Sequence, residues 1–245
     1  MKKYRQIFMS ANPDLGEPAQ KPFFQFNRVN DQKTEINIYG DITSWRWIES
    51  DVSAYSFKKQ LNEVETPEIE VRIDSYGGEV AEGLAIYNIL KSSDKEVTTI
   101  VDGFACSIAS IIFMAGKKRI MNTGTLLMWH NPWLYTAGNA DELEKAAADL
   151  RKMADSSVAI YKAGSNLDED VIREMMKSET WISAEEAINM GIATETSQVD
   201  GAKQSMEART LYSTIMKLKS VEDELMQIKE KETIPVNAWD QFFRG

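Results

Sequence analysis

Cysteine and histidine are almost absent from this chain of 245 residues, which contains one of each. A lone cysteine, Cys106, cannot form an internal disulfide, and the first residues hold too short an apolar run for a signal peptide, so we expect a protein of the reducing cytoplasm. A lone histidine, His130, argues against His-rich zinc or iron sites, which need two or more imidazoles. The composition therefore predicts neither a metal nor another cofactor.

Basic residues are fewer than acidic ones, and long apolar runs are lacking. The chain has 28 Lys and Arg against 38 Asp and Glu, a net charge of -10, so no broad positive surface for nucleic acid is expected. The longest nearly uninterrupted apolar run, residues 108–115, is well short of the roughly 20 residues that cross a bilayer. We therefore expect neither nucleic acid nor a membrane as a partner.

The residues that are present predict an α/β protein. Hydrophobic residues make up 43% of the chain, enough for one well-buried domain and an appendage. Apolar alternation predicts strands over 35–40, ended by Gly40, and 68–74; residues 96–103 have strand composition, and residues 79–92 have helical spacing after a glycine turn. A strand, a helix and a further strand in this order indicate a right-handed crossover and hence parallel strands.

Three segments are predicted along the chain. Residues 1–33 mix Pro, Asn, Gln and charges and indicate an arm, residues 34–200 form the ordered domain, and residues 201–245 carry a narrow apolar stripe on a charged helix, typical of a coiled-coil seam or a helix that docks on a partner. The domain should further contain helices over 44–64, 107–116, 139–163, 169–177 and 184–190, and strands over 118–122 and 125–130 that meet at Thr123-Gly124.

The stretch "GFACSIAS", residues 103–110, holds two candidate nucleophiles. Ser107 follows a predicted strand and starts a predicted helix, where free N–H groups and the helix dipole favour a developing negative charge. The alternative is an unreactive serine cap, which is common at helix starts. Cys106 can also act as a nucleophile, although a buried cysteine is usually an inert small hydrophobe.

Two further features have both a structural and a chemical interpretation. His130 ends the apolar strand "TLLMW", where an α/β fold exposes side chains to a crevice, although a lone histidine is more often a core residue. The paired glycines in "SYGGEV", residues 75–80, either relieve crowding at a turn or present an N–H donor to a carbonyl oxygen. Together with Ser107 these features would form a site for acyl transfer.

Four motifs in order resemble the Clp protease proteolytic subunit family: "DSYGGEVAEGLAIYNIL", "DGFACSIAS", "LLMWHNP" and "SETWISAEEAINMGIA". The resemblance covers roughly residues 34–196. It is greatest to the phage branch, the head-maturation proteases, through "IYGDITSW" and "ETWISAEEA". It implies a spiral α/β fold of the ClpP/crotonase type, built from ββα units with a protruding handle helix that matches residues 139–163. It also implies a homo-oligomer, in which heptameric rings stack as a tetradecamer and enclose the active sites.

The same resemblance implies a catalytic set. Ser107 corresponds to the family's nucleophile, His130 to its general base, and the backbone N–H groups of Gly78 and Ile108 to its oxyanion donors. The third triad member corresponds to Glu179, where the family usually has aspartate. In this assignment Ser107 attacks and Cys106 only packs.

The implied function is that of a serine endopeptidase that cleaves scaffold or capsid precursors during head assembly, in the host cytoplasm or the assembling virion. Three alternatives stay open: a degradative subunit that works with a Clp ATPase, a crotonase-type acyl-CoA enzyme, and a catalytically silent assembly protein.

Overall fold

The computed structural model describes residues 24–44 and 52–197. In these ranges it contains eight strands: β1 Phe24–Arg28, β2 Lys33–Ile38, β3 Glu68–Ser75, β4 Glu96–Cys106, β5 Lys118–Asn122, β6 Leu126–Trp129, β7 Thr180–Ser183 and β8 Glu195–Ser197. The helices of the same ranges are α1 Ala54–Leu61, α2 Val80–Lys91, α3 Ile108–Phe113, α4 Ala140–Ala163, α5 Glu169–Lys177 and α6 Ala184–Asn189.

The strands form a mixed sheet in the order β1-β2-β3-β4-β5-β8, in which only the β1–β2 pair of this path is antiparallel. The long strand β4 has two partners on the same side: residues 98–101 pair with β5, and residues 104–106 pair with β6. β6 in turn pairs antiparallel with β7. The end of β4 therefore lies beside the end of β6, and the end of β6 lies beside the start of β7.

The core lies between this sheet and the helices that cover it. Alternate residues of β2 and β3 are buried, as the period of two predicts, whereas β4 buries the consecutive residues 99–101, as expected of a central strand covered on both faces. All six residues of α3 are buried. The apolar run that starts this helix is therefore a core element.

Capping boxes define the starts of two helices near the chain's C-terminal half. At α4 the Asn139 side chain accepts from the Glu142 N–H, and the Glu142 carboxylate accepts from the Asn139 N–H. Ser183 and Glu186 make the same reciprocal pair at the start of α6. The first turns of α4 are exposed, and its last turns bury Ser157, Val158 and Tyr161.

The prediction of an α/β fold with parallel strands is confirmed, and several details differ from expectation. β1 lies within the stretch expected to be an irregular arm, and β7 and β8 were not predicted. The strands predicted to meet at Thr123-Gly124 lie on either side of a turn there, as predicted, and each pairs with a different part of β4. The helix expected over 44–64 is the shorter α1 within the described ranges.

The predicted helix over 201–245 lies outside the described residues, and the segment boundaries stay predictions. No helix in the described part of the chain has the length and apolar character of a bilayer-spanning segment.

Candidate active site

Ser107 occupies a strained position between β4 and α3. Its φ is 54° and its ψ is -127°, and its N–H donates to the Met128 carbonyl at 2.7 Å. Within residues 24–44 and 52–197, Ser107 and Glu179 are the only non-glycine residues with positive φ. Such conformations cost of the order of 1–3 kcal/mol and persist where the surrounding structure enforces them, often at functional sites.

His130 follows β6 and meets Ser107 across the β4–β6 pair. Because Cys106 pairs with Met128 in parallel register, the residues just beyond the two strands lie next to each other. The Nε2 atom of His130 is 2.8 Å from the Ser107 Oγ. The structure thus brings the predicted nucleophile and the predicted base into hydrogen-bond contact.

The surroundings of His130 favour its neutral form. Partial burial lowers the pKa of the imidazole below its ordinary value of 6.5, and the negative charge of Glu179 raises the pKa in partial opposition. The net shift is downward. The ring is therefore neutral at pH 7 and has a lone pair available to accept a proton.

Glu179 lies next to His130, just beyond the last residue pair of the β6–β7 ladder. Trp129 pairs with Thr180 in the antiparallel β6–β7 ladder, so the next residues outward are His130 and Glu179. Glu179 is exposed, with φ 50°. Among the residues that the structure describes, no hydrogen bond joins its carboxylate to the imidazole. Glu179 therefore affects the His130 pKa as a nearby negative charge.

The glycine turn after β3 packs directly against the Ser107 turn. Gly77 has φ 94°, and a Cβ there would lie 2.7 Å from the Cys106 carbonyl oxygen and 3.0 Å from the Ser107 Cβ. Only glycine fits this close approach in this conformation. The family resemblance points to Gly78 of this pair, and the glycine doublet is the sequence signal that also points to Gly77.

In the described ranges, two backbone N–H groups near Ser107 have no acceptor. The Ile42 N–H donates to the Gly77 carbonyl oxygen, and the Glu79 N–H donates to the Ile42 carbonyl oxygen, so both groups that flank Gly78 face Ile42. The Gly78 N–H between them therefore points to the opposite edge, toward β4. The Ile108 N–H opens the first turn of α3, where helix amides have no intrahelical partner. Neither amide donates to another group in the described ranges.

Cys106 is fully buried, and burial raises the pKa of its thiol far above the ordinary value. The thiolate that nucleophilic attack needs is therefore suppressed. In the described ranges no group of three or more His, Cys, Asp or Glu side chains is arranged to hold a metal ion.

Two residues behind the site, Ser110 and Tyr161, were not predicted from the sequence. The Ser110 hydroxyl donates to the Ser107 carbonyl oxygen at 2.6 Å and lies 2.7 Å from the Tyr161 hydroxyl. The Tyr161 ring stacks on Trp129, with ring centroids 3.8 Å apart. No local pattern links Ser110 to a residue 51 positions later, so only the fold reveals this contact.

The chain is similar to a known protein family over most of its described residues. The family model described as Clp protease matches residues 30–200. The chain belongs to the Clp protease family. Among curated Clp proteases, the ATP-dependent Clp protease proteolytic subunit of Deinococcus radiodurans is 34% identical over 127 residues, which are 51% of this chain and 62% of that protein. The ATP-dependent Clp protease proteolytic subunit 3 of Rhodococcus jostii is 32% identical over 127 residues, 51% of this chain and 63% of that protein.

The matched region is thus shorter than the Clp proteases it matches, since it spans a little over three fifths of their length. Within that family setting the site has the parts that acyl transfer requires. A serine hydroxyl contacts a neutral imidazole, and two N–H groups that have no acceptor among the described residues lie at the adjoining turns. The arrangement can activate an oxygen nucleophile and stabilise an oxyanion.

Proposed function

We propose that this Clp-family chain is a serine endopeptidase that cleaves peptide bonds through an acyl-enzyme. The observation that carries the proposal is the 2.8 Å contact between the Ser107 Oγ and the His130 Nε2 at adjoining strand ends. A crotonase-type acyl-CoA enzyme would need the oxyanion donors alone. The serine–histidine contact therefore favours the peptidase.

In the proposed reaction His130, protonated on Nδ1, accepts the Ser107 hydroxyl proton on Nε2 while Oγ attacks the peptide carbonyl carbon. The carbonyl oxygen becomes an oxyanion that the Gly78 and Ile108 N–H groups stabilise. The imidazolium then gives its proton to the leaving amine as the C–N bond breaks. Water, deprotonated by the same histidine, hydrolyses the ester and restores the Ser107 hydroxyl.

Glu179 is proposed as the third catalytic residue, with a role set by charge. Its carboxylate favours the imidazolium that forms during attack, as its effect on the His130 pKa indicates. A triad acid also fixes the imidazole tautomer through a hydrogen bond. Because no such bond joins Glu179 to His130 in the described ranges, we expect Glu179 to contribute less to kcat than a hydrogen-bonded triad acid.

We further propose that the domain is the spiral of ββα units with α4 as its handle, assembled into stacked heptameric rings. The segment before α4 and the helix itself expose several large apolar side chains: Trp133, Leu134, Tyr135, Leu143 and Met153. Exposed apolar side chains grouped in this way are typical of surfaces that pack against another protein. This surface supports assembly through α4.

The proposed substrates are scaffold or capsid precursors cleaved during phage head maturation, without an ATPase. The motifs "IYGDITSW" and "ETWISAEEA" support this branch of the family. A second candidate is a degradative subunit that works with a Clp ATPase, which the names of the relatives favour, because they are called ATP-dependent.

Incubation of the purified chain with casein and with capsid precursor, with and without a Clp ATPase and ATP, tests these proposals. Cleavage of the precursor by the chain alone, lost in Ser107→Ala, is the expected result. Cleavage that requires the ATPase would support the degradative candidate. No cleavage of either protein, or of short unstructured peptides, would contradict the peptidase assignment and leave a silent assembly protein.

A further inference from the structure

A buried chain of hydrogen bonds runs from α4 to the backbone of the proposed nucleophile. Ser110 is fully buried, and Tyr161 is 2% exposed. The Ser110 hydroxyl donates to the Ser107 carbonyl oxygen at 2.6 Å, and the Ser110 N–H donates to the same oxygen at 3.0 Å. The Tyr161 hydroxyl is 2.7 Å from the Ser110 Oγ.

The direction of the protons in this chain follows from counting them. A serine hydroxyl has one proton, and that of Ser110 is committed to the Ser107 carbonyl. Tyr161 must therefore donate to the Ser110 Oγ. The chain then runs in one direction, from phenol to hydroxyl to carbonyl, and each bond polarises the next.

The Ser107 carbonyl and the Ile108 N–H belong to the same peptide group. Because a trans peptide is planar, its C=O and N–H point in opposite directions, and an oxygen fixed by donors on one side also fixes the N–H on the other. Electron density drawn toward the carbonyl oxygen makes that N–H a stronger donor. The unusual φ of Ser107 gives this peptide plane an orientation that its neighbours must hold in place.

We infer that Ser110 and Tyr161 are positioning residues that orient and polarise the Ile108 N–H as an oxyanion donor. The inference rests on the proposed peptidase function, because it concerns the oxyanion formed there. Neither side chain touches the reacting atoms. They act through the peptide between Ser107 and Ile108.

Tyr161 is held for this role by a second contact. Its ring stacks on the fully buried Trp129, with an interplanar angle of 19°, and Trp129 immediately precedes His130. One side chain of α4 thus contacts the strand that carries the proposed base and, through Ser110, the turn that carries the proposed nucleophile. Tyr161→Phe removes the hydroxyl and leaves the stacked ring.

The test compares Tyr161→Phe and Ser110→Ala with wild type on a fluorogenic peptide, after fluorophosphonate titration has counted the reactive sites. We expect kcat to fall about 5-fold in Tyr161→Phe and about 30-fold in Ser110→Ala, less than the 10²- to 10³-fold cost of losing a whole oxyanion donor. KM should stay within about 2-fold, because the interaction strengthens only in the transition state. The inhibition constant of a peptide boronate, which mimics the tetrahedral intermediate, should rise by a factor similar to the fall in kcat.

Tyr39→Phe is the matched control. It also removes a tyrosine hydroxyl from a partly buried hydrogen bond, in this case to Asp102 at 2.5 Å, and it leaves the Ser107 peptide untouched. Its kcat and boronate affinity should equal those of wild type. The double variant Ser110→Ala/Tyr161→Phe should lose no more than Ser110→Ala alone, because both hydroxyls act through one chain.

Either of two results in kcat would overturn the inference while the peptidase function stands: unchanged kcat in both single variants of an active enzyme, or losses matched by equal losses in Tyr39→Phe. Boronate affinity that stays constant while kcat falls would also contradict it. A wild-type protein that neither cleaves peptide nor reacts with fluorophosphonate would contradict the proposed function itself, and the inference with it.

Discussion

The two sides of His130 are built differently. Toward Ser107, the imidazole makes a 2.8 Å hydrogen bond at the joined ends of two parallel strands. Toward Glu179, only the register of the β6–β7 ladder brings the residues close, and the carboxylate is exposed. The difference supports the proposal that the sheet positions the Ser107–His130 pair, whereas Glu179 acts on His130 through its charge.

Packing explains the difference. Ser107 lies between the close-packed Gly77 turn and the fully buried α3, so it has little freedom to move. Glu179 follows the exposed end of α5, after its C-cap Ser178, and precedes the four-residue strand β7. A buried turn can hold an atom to within the tolerance that catalysis needs, while an exposed side chain keeps its rotamer freedom.

Replacing the base should produce the largest loss. His130→Gln keeps the approximate volume and a polar side chain but cannot take up the Ser107 proton, so kcat should fall by roughly 10⁴-fold or more. Steady-state hydrolysis of a fluorogenic peptide measures this. A variant that retains a tenth of the wild-type rate would mean that the Ser107–His130 contact is structural.

Removing the acid's charge should cost less and should shift the pH profile. In the wild type the rate should rise with pH with a midpoint below 6.5, because burial lowers the His130 pKa and the neutral ring is the active form. Glu179 raises that pKa, so Glu179→Gln should move the midpoint to still lower pH and reduce kcat about 10-fold near neutrality.

Two other results for Glu179→Gln would contradict a role for Glu179 that is smaller than that of His130 and set by charge. A loss of kcat near 10⁴-fold would mean that Glu179 contributes as much as a hydrogen-bonded triad acid. An unchanged rate and an unchanged midpoint would remove it from the site and leave a Ser107–His130 dyad. Glu179→Asp, which keeps the charge but withdraws it by one methylene, should lie between wild type and Glu179→Gln.

The smallest effect on catalysis is expected at the neighbour of the nucleophile. Cys106→Ala should leave kcat within about 2-fold, because the buried thiol is held protonated. The lost sulfur leaves a small void in a tightly packed core, at a cost of about 1 kcal/mol in the free energy of unfolding. Thermal melting and peptide hydrolysis on the same sample separate the two effects, and a collapse of kcat without a change in melting would give Cys106 a chemical role.

The sequence predicted those parts of the fold that carry strong periodicity. The long helix α4 matches the helix predicted over 139–163, and β3 and α2 lie within a residue or so of their predicted ends. The strands β7 and β8 were missed because segments of four and three residues contain too few alternations to show a period of two.

The site was accessible to sequence reasoning only in part. Strand ends and family motifs pointed to Ser107 and His130, whose contact follows from the parallel register. The left-handed conformation of Glu179 and the hydrogen bond from Tyr161 to Ser110 depend on tertiary packing between residues distant in sequence. Neither has a local signal.

Covalent labelling tests whether Ser107 is the nucleophile. Wild-type protein and the Ser107→Ala and Cys106→Ala variants are treated with a fluorophosphonate, digested, and examined by tandem mass spectrometry. We expect a single phosphonylated residue, Ser107, in wild type and Cys106→Ala, with labelling fastest above the His130 pKa and none in Ser107→Ala. Labelling that persists in Ser107→Ala, or a wild-type protein in which Ser107 stays unmodified while a substrate peptide is cleaved, would contradict this assignment.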